Sequence, residues 1–365
     1  MRLAAQKSSP VRPDLPGLMM PLFDRFRSVS VLAAALTGML VTVLLSASPS
    51  SAHPALTTPS VSDSTAQRAD PIPDQPYAPE ISAFVQTVLH TAGGSSSTPE
   101  GFSVPRARLA AEGGAESIAY EVEADFADDV LLKDARIAYQ PITQLTLGAG
   151  RFKVPFSYGE LVSSARTDFV QRPRAARQLS IGRRTGVDAT YRAWNERVKL
   201  QAGVFSGTPN ADVSEDWLSA ARLTWTTTTR SVRSTIGVNA AYVQYAEETG
   251  HARLSVDVRL TRGRAFLTAE WLTAPDDLHA PAERGAYVTT GYALADAHLI
   301  RAQWDYISGR ASTSPDTSSS SRSLIGLGYT LQLSAPLRVE IDYLVPPTAE
   351  AFERSAVLVN VQVDL

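Results

Sequence analysis

The chain has 365 residues, no Cys, 44% apolar side chains, and 34 basic against 37 acidic residues for a net charge of −3. The missing Cys excludes a disulfide framework, a Cys-ligated zinc site and a thiol nucleophile, and the lack of a basic excess argues against a nucleic-acid partner. Only residues 29–46 are long and apolar enough to cross a bilayer as a helix, which excludes a polytopic helical membrane protein.

Residues 1–52 read as a signal peptide. Arg25 and Arg27 form a positive start, Val29 to Leu45 an apolar stretch, and Ser50 and Ala52 stand as a signal peptidase requires. The alternative is a single anchoring helix, but no Lys or Arg cluster follows Leu45 to stop transfer. The long leader before Arg25 allows a start at Met19 or Met20. Cleavage removes Arg2, Lys7, Arg12, Arg25 and Arg27 with Asp14 and Asp24, leaving 29 basic and 35 acidic residues, net −6. Residues 53–80, rich in Pro, Ser, Thr and Asp, read as a flexible periplasmic tail or linker.

From residue 81 to 365 the dominant period is two. Leu254, Val256, Val258 and Leu260 alternate with Arg253, Ser255, Asp257 and Arg259. Ile300, Ala302, Trp304 and Tyr306 alternate with Arg301, Gln303 and Asp305, and Leu337 to Tyr343 and Val357 to Leu365 repeat the pattern. Such runs put apolar side chains on one face and polar ones on the other. The runs are longer than the roughly 5–6 residues usual for soluble strands, and they follow one another without helices. Tyr120, Phe126, Tyr139, Trp225, Tyr242, Trp271, Tyr306 and Tyr343 lie toward the ends of the apolar faces. These features predict an all-β, transmembrane antiparallel barrel of about 16 strands. The spans are 81–92, 101–111, 117–127, 131–140, 143–156, 183–193, 196–206, 217–227, 232–246, 250–261, 264–274, 284–294, 297–308, 322–333, 337–346 and 356–365. Connections after even-numbered strands are short, near Gly113–Gly114, Pro141–Ile142, Asn195, 227–231, Arg262–Gly263, Ala295–Asp296 and Ala335–Pro336; those after odd-numbered strands are mostly longer. Outer-membrane barrels have short periplasmic turns and long external loops, so the pattern places both termini in the periplasm of a Gram-negative-type bacterium.

The longest connection, the third external loop from Ser157 to Gly182, carries Leu161, Val162, Phe169, Val170 and Leu179 and is expected to fold inward against the barrel wall and narrow the pore. Around it stand Arg151, Lys153, Arg166, Arg172, Arg174, Arg177, Arg183 and Arg184, opposed only by Glu160 and Asp168. Such a cluster in a narrow passage favours anions, and the guanidinium fork suits phosphate or carboxylate oxygens. The other reading is that these arginines bind lipopolysaccharide phosphates at the rim or solvate a surface loop. Arg106, Arg108 and Arg136 share the lumen face with Glu121, Glu123, Asp125 and Asp134, so the wall is either an anion path or an ion-paired girdle.

Phe102-Ser-Val-Pro-Arg-Ala-Arg-Leu109, Tyr120 to Ala127, Leu132-Lys-Asp-Ala-Arg-Ile-Ala-Tyr139, Gly150-Arg-Phe-Lys-Val-Pro-Phe-Ser157, Glu160 to Ser164, Arg183-Arg-Thr-Gly186 and Gly203-Val-Phe-Ser-Gly207 resemble, as an ordered series, the phosphate-selective porin O and P family. The resemblance is concentrated in residues 81–207. It implies a 16-stranded outer-membrane barrel, usually a homotrimer, with an inward-folded loop and basic residues along the passage. By position, Arg151, Lys153 and the arginines of 166–184 would lie at or near the constriction. Two departures stand out: a shorter chain than phosphate-specific members, and Leu365 where the family ends on an aromatic residue.

The expected function is a passive, water-filled, anion-preferring porin for phosphate or other small anions, in contact with outer-membrane lipid and lipopolysaccharide. The mixed lumen charges motivate a weakly selective general diffusion porin as the alternative. A barrel enzyme is a third reading. His53, His90, His251, His279 and His298 are scattered and no nucleophile motif appears, although a His–Ser pair at one rim would revive it. An adhesion barrel would need longer external loops or a repeat. No metal-ligand spacing or phosphate-cradling glycine loop is present, so no metal or cofactor is expected.

Overall fold

A computed structural model describes residues 79–92, 100–208, 216–244, 250–274, 283–310, 319–347 and 355–365. The expected signal peptide, and the tail as far as residue 78, lie outside them. The strands are β1 Glu80–Ala92, β2 Gly101–Ala115, β3 Ile118–Asp125, β4 Leu132–Ile142, β5 Leu145–Lys153, β6 Arg183–Ala193, β7 Val198–Ser206 and β8 Trp217–Thr229. They continue as β9 Val232–Gln244, β10 His251–Arg262, β11 Ala265–Ala274, β12 Glu283–Ala295, β13 His298–Arg310, β14 Ser319–Ser334, β15 Leu337–Val345 and β16 Ala356–Asp364. Each pairs with its sequence neighbours, and β1 pairs antiparallel with β16, so the sheet is a closed 16-stranded barrel with no free edge. No helix of the described residues is long and apolar enough to cross a membrane.

The two faces are inverted relative to a soluble barrel. Outward positions carry apolar side chains such as Ile137, 62% exposed, and Leu327, 56% exposed. Inward positions carry Asp125, Asp257, Glu270, Arg301 and Glu340, all at most 4% exposed. Tyr139, Trp225, Tyr242 and Trp271 are also outward and exposed. In water this arrangement would expose the apolar surface and bury the charges, the reverse of the ordinary preference. Hydrocarbon outside and solvated polar groups inside make it stable.

Connections follow strand parity. Those after β2, β4, β8, β10, β12 and β14 have two residues each, whereas β5 and β6 are joined by residues 154–182. The tight turns use left-handed backbone at non-glycine residues: Glu116 (φ 53°), Trp194, Asn195 and Glu196 (φ 51°, 55° and 63°), and Arg230 and Ser231 (φ 49° and 67°). Consecutive positive φ values match the right-handed twist of two hairpin strands. The first turn is therefore at Glu116–Ser117, not at Gly113–Gly114, which lie inside β2. There Gly113 leaves room for Tyr120, whose hydroxyl would stand 2.5 Å from an added Cβ. Between β1 and β2 the register slips past Val104 and Pro105, which is where a residue lacking an N–H is tolerated in a sheet.

Candidate functional site

The connection 154–182 holds three short helical segments: α1 Tyr158–Leu161, a 3-10 turn Ser164–Arg166, and α2 Arg174–Leu179. Its seat is dictated by an exception to the polar interior. Near the end of the long connections the inward residues Phe205, Leu218, Ala220, Ala241, Val243, Leu272 and Ile307 are apolar and buried. Phe156, Ala175, Ala176, Leu179 and Ile181 of the connection pack on them in one cluster. Phe152 meets Phe205 edge-on at 5.4 Å between ring centroids. A second contact joins Val170 to Val88 on β1 and Leu358 on β16.

Hydrogen bonds then fix the connection to the inner wall. Tyr158 N–H and Gly159 N–H donate to Glu270 on β11 at 3.0 and 2.9 Å. The Arg174 and Ala175 N–H groups donate to Asp305 on β13. Val170 N–H donates to Asp342 on β15 at 2.6 Å. In the other sense, Arg259 on β10 donates to the Tyr158 hydroxyl at 2.6 Å, Arg301 on β13 to the Asp168 carbonyl, and Arg338 on β15 to the Ala165 carbonyl. The Arg301 guanidinium also lies 5.0 Å from the centre of the Phe169 ring.

The sequence-predicted cations divide into groups. Arg108, Arg136 and Arg183 are bound to carboxylates of the wall. Arg108 meets Asp125 at 2.7 Å and Glu123 at 2.9 Å, Arg136 meets Asp188 at 2.7 Å, and Arg183 meets Asp134 at 2.5 Å and Glu123 at 3.1 Å. Arg106 donates to Gln86 at 2.5 Å. Lys153 and Arg172 turn into the connection itself. The Lys153 ammonium donates to the Glu160, Leu161 and Val162 carbonyls at 2.7, 3.3 and 2.9 Å, where α1 ends. Arg172 donates to the Gly159 and Val162 carbonyls at 3.0 and 2.7 Å and lies 3.5 Å from Glu160. Arg151 reaches the Leu132 carbonyl at 3.1 Å, and Arg184 the Ile181 and Arg183 carbonyls at 2.8 and 2.9 Å. Arg174 sits beside Asp305 at 3.7 Å. Arg166 and Arg177 are exposed, the latter donating to Gln171 at 3.1 Å. Burial raises the Asp168 carboxyl above the ordinary aspartate value, against the pull of Arg259 and Arg301. That weakens one of the two acids opposing the cluster.

Lys153→Met is expected to lower stability by about 1–3 kcal/mol, because three loop carbonyls lose a charged donor in a partly dry site. Guanidinium unfolding in detergent micelles measures it; a loss of less than half that range would mean water replaces the ammonium.

The opposite half of the wall carries Arg222, Asp257, Arg259, Glu270, Arg301, Glu340 and Asp342. Most of these stand in the polar half of the alternating runs, yet the alternation does not say which of them meet. Arg222 on β8 grips Asp257 on β10 with two bonds, at 2.6 and 2.9 Å, across Gly237 of β9. Arg136 reaches Asp188 across Gly148 of β5, and Arg301 reaches Asp342 across Gly328 of β14, in the same way. A strand that intervenes with no side chain is the shared device.

A Ser–His contact is present among the described residues. His90 Nε2 lies 3.1 Å from Ser103 Oγ near the end of β1 that leads to a long connection. Ser103 Oγ also donates to the Val88 carbonyl at 3.5 Å, and among the described residues no carboxylate orients the ring. Among the described residues the pair has no third group to orient the base.

A family model described as phosphate-selective porin O and P matches residues 81–265. No curated protein matches the chain in sequence. Among solved structures, a loop L8 deletion mutant of OmpT, an outer membrane protein of Vibrio cholerae, is similar with a TM-score of 0.58 and 15% identity, over 79% of this chain and 99% of that one. The anion-selective porin from Comamonas acidovorans has a TM-score of 0.56 and 12% identity, over 79% and 99%. The outer membrane channel DcaP of Acinetobacter baumannii has a TM-score of 0.56 and 12% identity, over 80% and 99%. At these identities the likeness is one of fold.

Proposed function

The chain belongs to the phosphate-selective porin O and P family, and from that premise we propose that this outer-membrane porin passes small anions, phosphate among them, in preference to cations. The observation that carries the reading is an imbalance of exposure. The wall carboxylates Asp125, Asp134, Asp188, Asp257, Glu340 and Asp342 each lie in an ion pair. Arg166 and Arg177 are exposed on the connection 154–182. Paired wall charges cancel at a distance, so the exposed cations dominate the field an ion meets. The similar fold of the anion-selective porin from Comamonas acidovorans is in keeping with this.

The same pairing favours a second reading, a weakly selective diffusion pore, because most of the wall contributes little net field. Reversal potentials in planar bilayers under a potassium chloride gradient separate the two. A chloride-selective potential is expected; a value near zero supports the weak pore, and a potassium-selective one refutes the anion reading. Phosphate added at constant chloride is expected to lower the chloride current by occupying the same passage.

The proposal includes a cleaved signal peptide, assembly as a homotrimer in contact with lipid and lipopolysaccharide, and periplasmic termini. The two-residue turns at one end of the barrel and the longer connections at the other support that orientation. Protease added outside intact cells is expected to cut connections after odd-numbered strands other than β5 and to spare the two-residue turns.

A further inference from the structure

We propose that Glu270 is the positioning residue of the pore loop: it holds residues 157–159 through the Ser157 hydroxyl and two main-chain N–H groups, so that a carboxylate on the pore wall sets the width of the passage without drawing cations into it. The inference rests on the channel reading above.

The Glu270 carboxylate is 3% exposed and accepts five hydrogen bonds. One oxygen takes Tyr158 N–H at 3.0 Å and the Ser255 hydroxyl at 2.6 Å. The other takes Gly159 N–H at 2.9 Å, the Tyr287 hydroxyl at 2.9 Å and the Ser157 hydroxyl at 3.2 Å. An ionised carboxylate has about four lone-pair sites, so this one is saturated, and every donor is neutral. A saturated shell of neutral dipoles stabilises the charge without a counter-ion and leaves no vacant acceptor for a passing cation.

The loop is shaped for this contact. Ser157 has φ 70°, the left-handed region that a residue with a Cβ seldom enters. That turn directs two successive N–H groups toward one anion, as in backbone nests. Gly159 follows because a Cβ there would lie 2.6 Å from the Ala176 Cβ and 2.8 Å from the Tyr287 hydroxyl. The same chemistry recurs at Asp305 and Asp342, where further loop N–H groups meet wall carboxylates on β13 and β15. Three alternate strands thus hold the loop by its backbone, and its arginine side chains are not needed for docking at Glu270.

The consequence has an unusual sign. Removing a negative charge from a pore lining ordinarily raises anion preference. Glu270→Gln keeps the shape but presents an NH2 group toward at least one loop N–H, so the clasp opens and the loop lifts from the wall. Single-channel conductance is expected to rise by about twofold, with more current noise, and the anion-to-cation permeability ratio to fall toward one, because the exposed arginines retreat from the ion path. Higher anion preference at unchanged conductance would overturn the proposal, since that is the response to charge alone. Ser157→Ala combined with Tyr287→Phe removes two donors and no charge. It is expected to raise conductance in the same direction by a smaller amount, and unchanged conductance in that variant would also overturn the proposal, even if Glu270→Gln fails to fold. A wild-type channel that prefers cations would refute the anion reading while leaving the conductance comparison to judge the clasp.

Discussion

Gly237→Val is expected to destabilise the barrel by about 3–5 kcal/mol, as much as truncating Arg222 itself, because breaking a buried ion pair leaves an uncompensated charge. Arg222 and Asp257 are 6% and 2% exposed and lie on strands that are not neighbours. Their contact exists only because β9 presents hydrogen where a side chain would stand. A Cβ at Gly237 would lie 2.6 Å from one Asp257 oxygen and 2.7 Å from an Arg222 nitrogen. Asn239 tightens the site by accepting from Arg222 at 2.5 Å and donating to Asp257 at 3.1 Å, so no slack remains for the guanidinium to swing aside. The cost should therefore be non-additive. In an Arg222→Met, Asp257→Leu background, Gly237→Val has no ion pair to break and should cost well under half as much. Guanidinium unfolding in micelles across the four combinations measures the coupling. Full additivity would mean that the valine acts through backbone or packing strain and that the glycine has no part in the pair.

The strands are more legible in the sequence than the turns or the ion pairs. All 16 strands stand where the alternation puts them, and β6 spans 183–193 as expected. The reason is that lipid on one side and polar groups on the other impose a period of two on every spanning strand. Turn chemistry was less readable. The turns near Asn195, 227–231 and Arg262–Gly263 stand where expected, whereas Gly113–Gly114 lies inside β2 and the turn falls at Glu116–Ser117, residues that carry little turn signal. The partners of the basic residues were readable only in part: Arg108 pairs with Glu123 and Asp125, two of the lumen acids expected near it, but the other partners lie elsewhere. Lys153 and Arg151 are two apart on one strand, yet Lys153 closes the end of α1 while Arg151 bonds the Leu132 carbonyl. Arg136 finds Asp188, 52 positions on, because register and a glycine bring them together. Cross-strand partners depend on register, and loop anchors such as Glu270 on the folded shape of a distant segment. Neither leaves a mark in local spacing. The three glycines that open the diagonal pairs could have been sought as inward glycines flanked by opposite charges two strands apart.

Reversing both exposed loop cations, Arg166→Glu with Arg177→Glu, is expected to lower the anion-to-cation permeability ratio by about tenfold. A unit charge about 8 Å from the ion path changes an ion's energy by roughly 0.5 kcal/mol in a water-like dielectric. The double reversal changes the local charge by four units, and physiological salt screens the total to about a third over that distance. The result is about 0.7 kcal/mol against each anion and the same in favour of each cation, hence about 1.4 kcal/mol in the ratio. Reversal potentials at about 0.15 M salt measure it; at about 1 M the effect should largely vanish, since the screening length falls to about 3 Å. Arg183 provides the contrast. It sits between Asp134 and Glu123, so Arg183→Gln strands the buried Asp134 carboxylate and leaves Glu123 to Arg108 alone. Its effect should appear first in unfolding, whereas the loop reversal should leave stability nearly unchanged, as for most exposed charges. If the loop reversal leaves the ratio unchanged while Arg183→Gln shifts it, selectivity belongs to the wall and not to the loop.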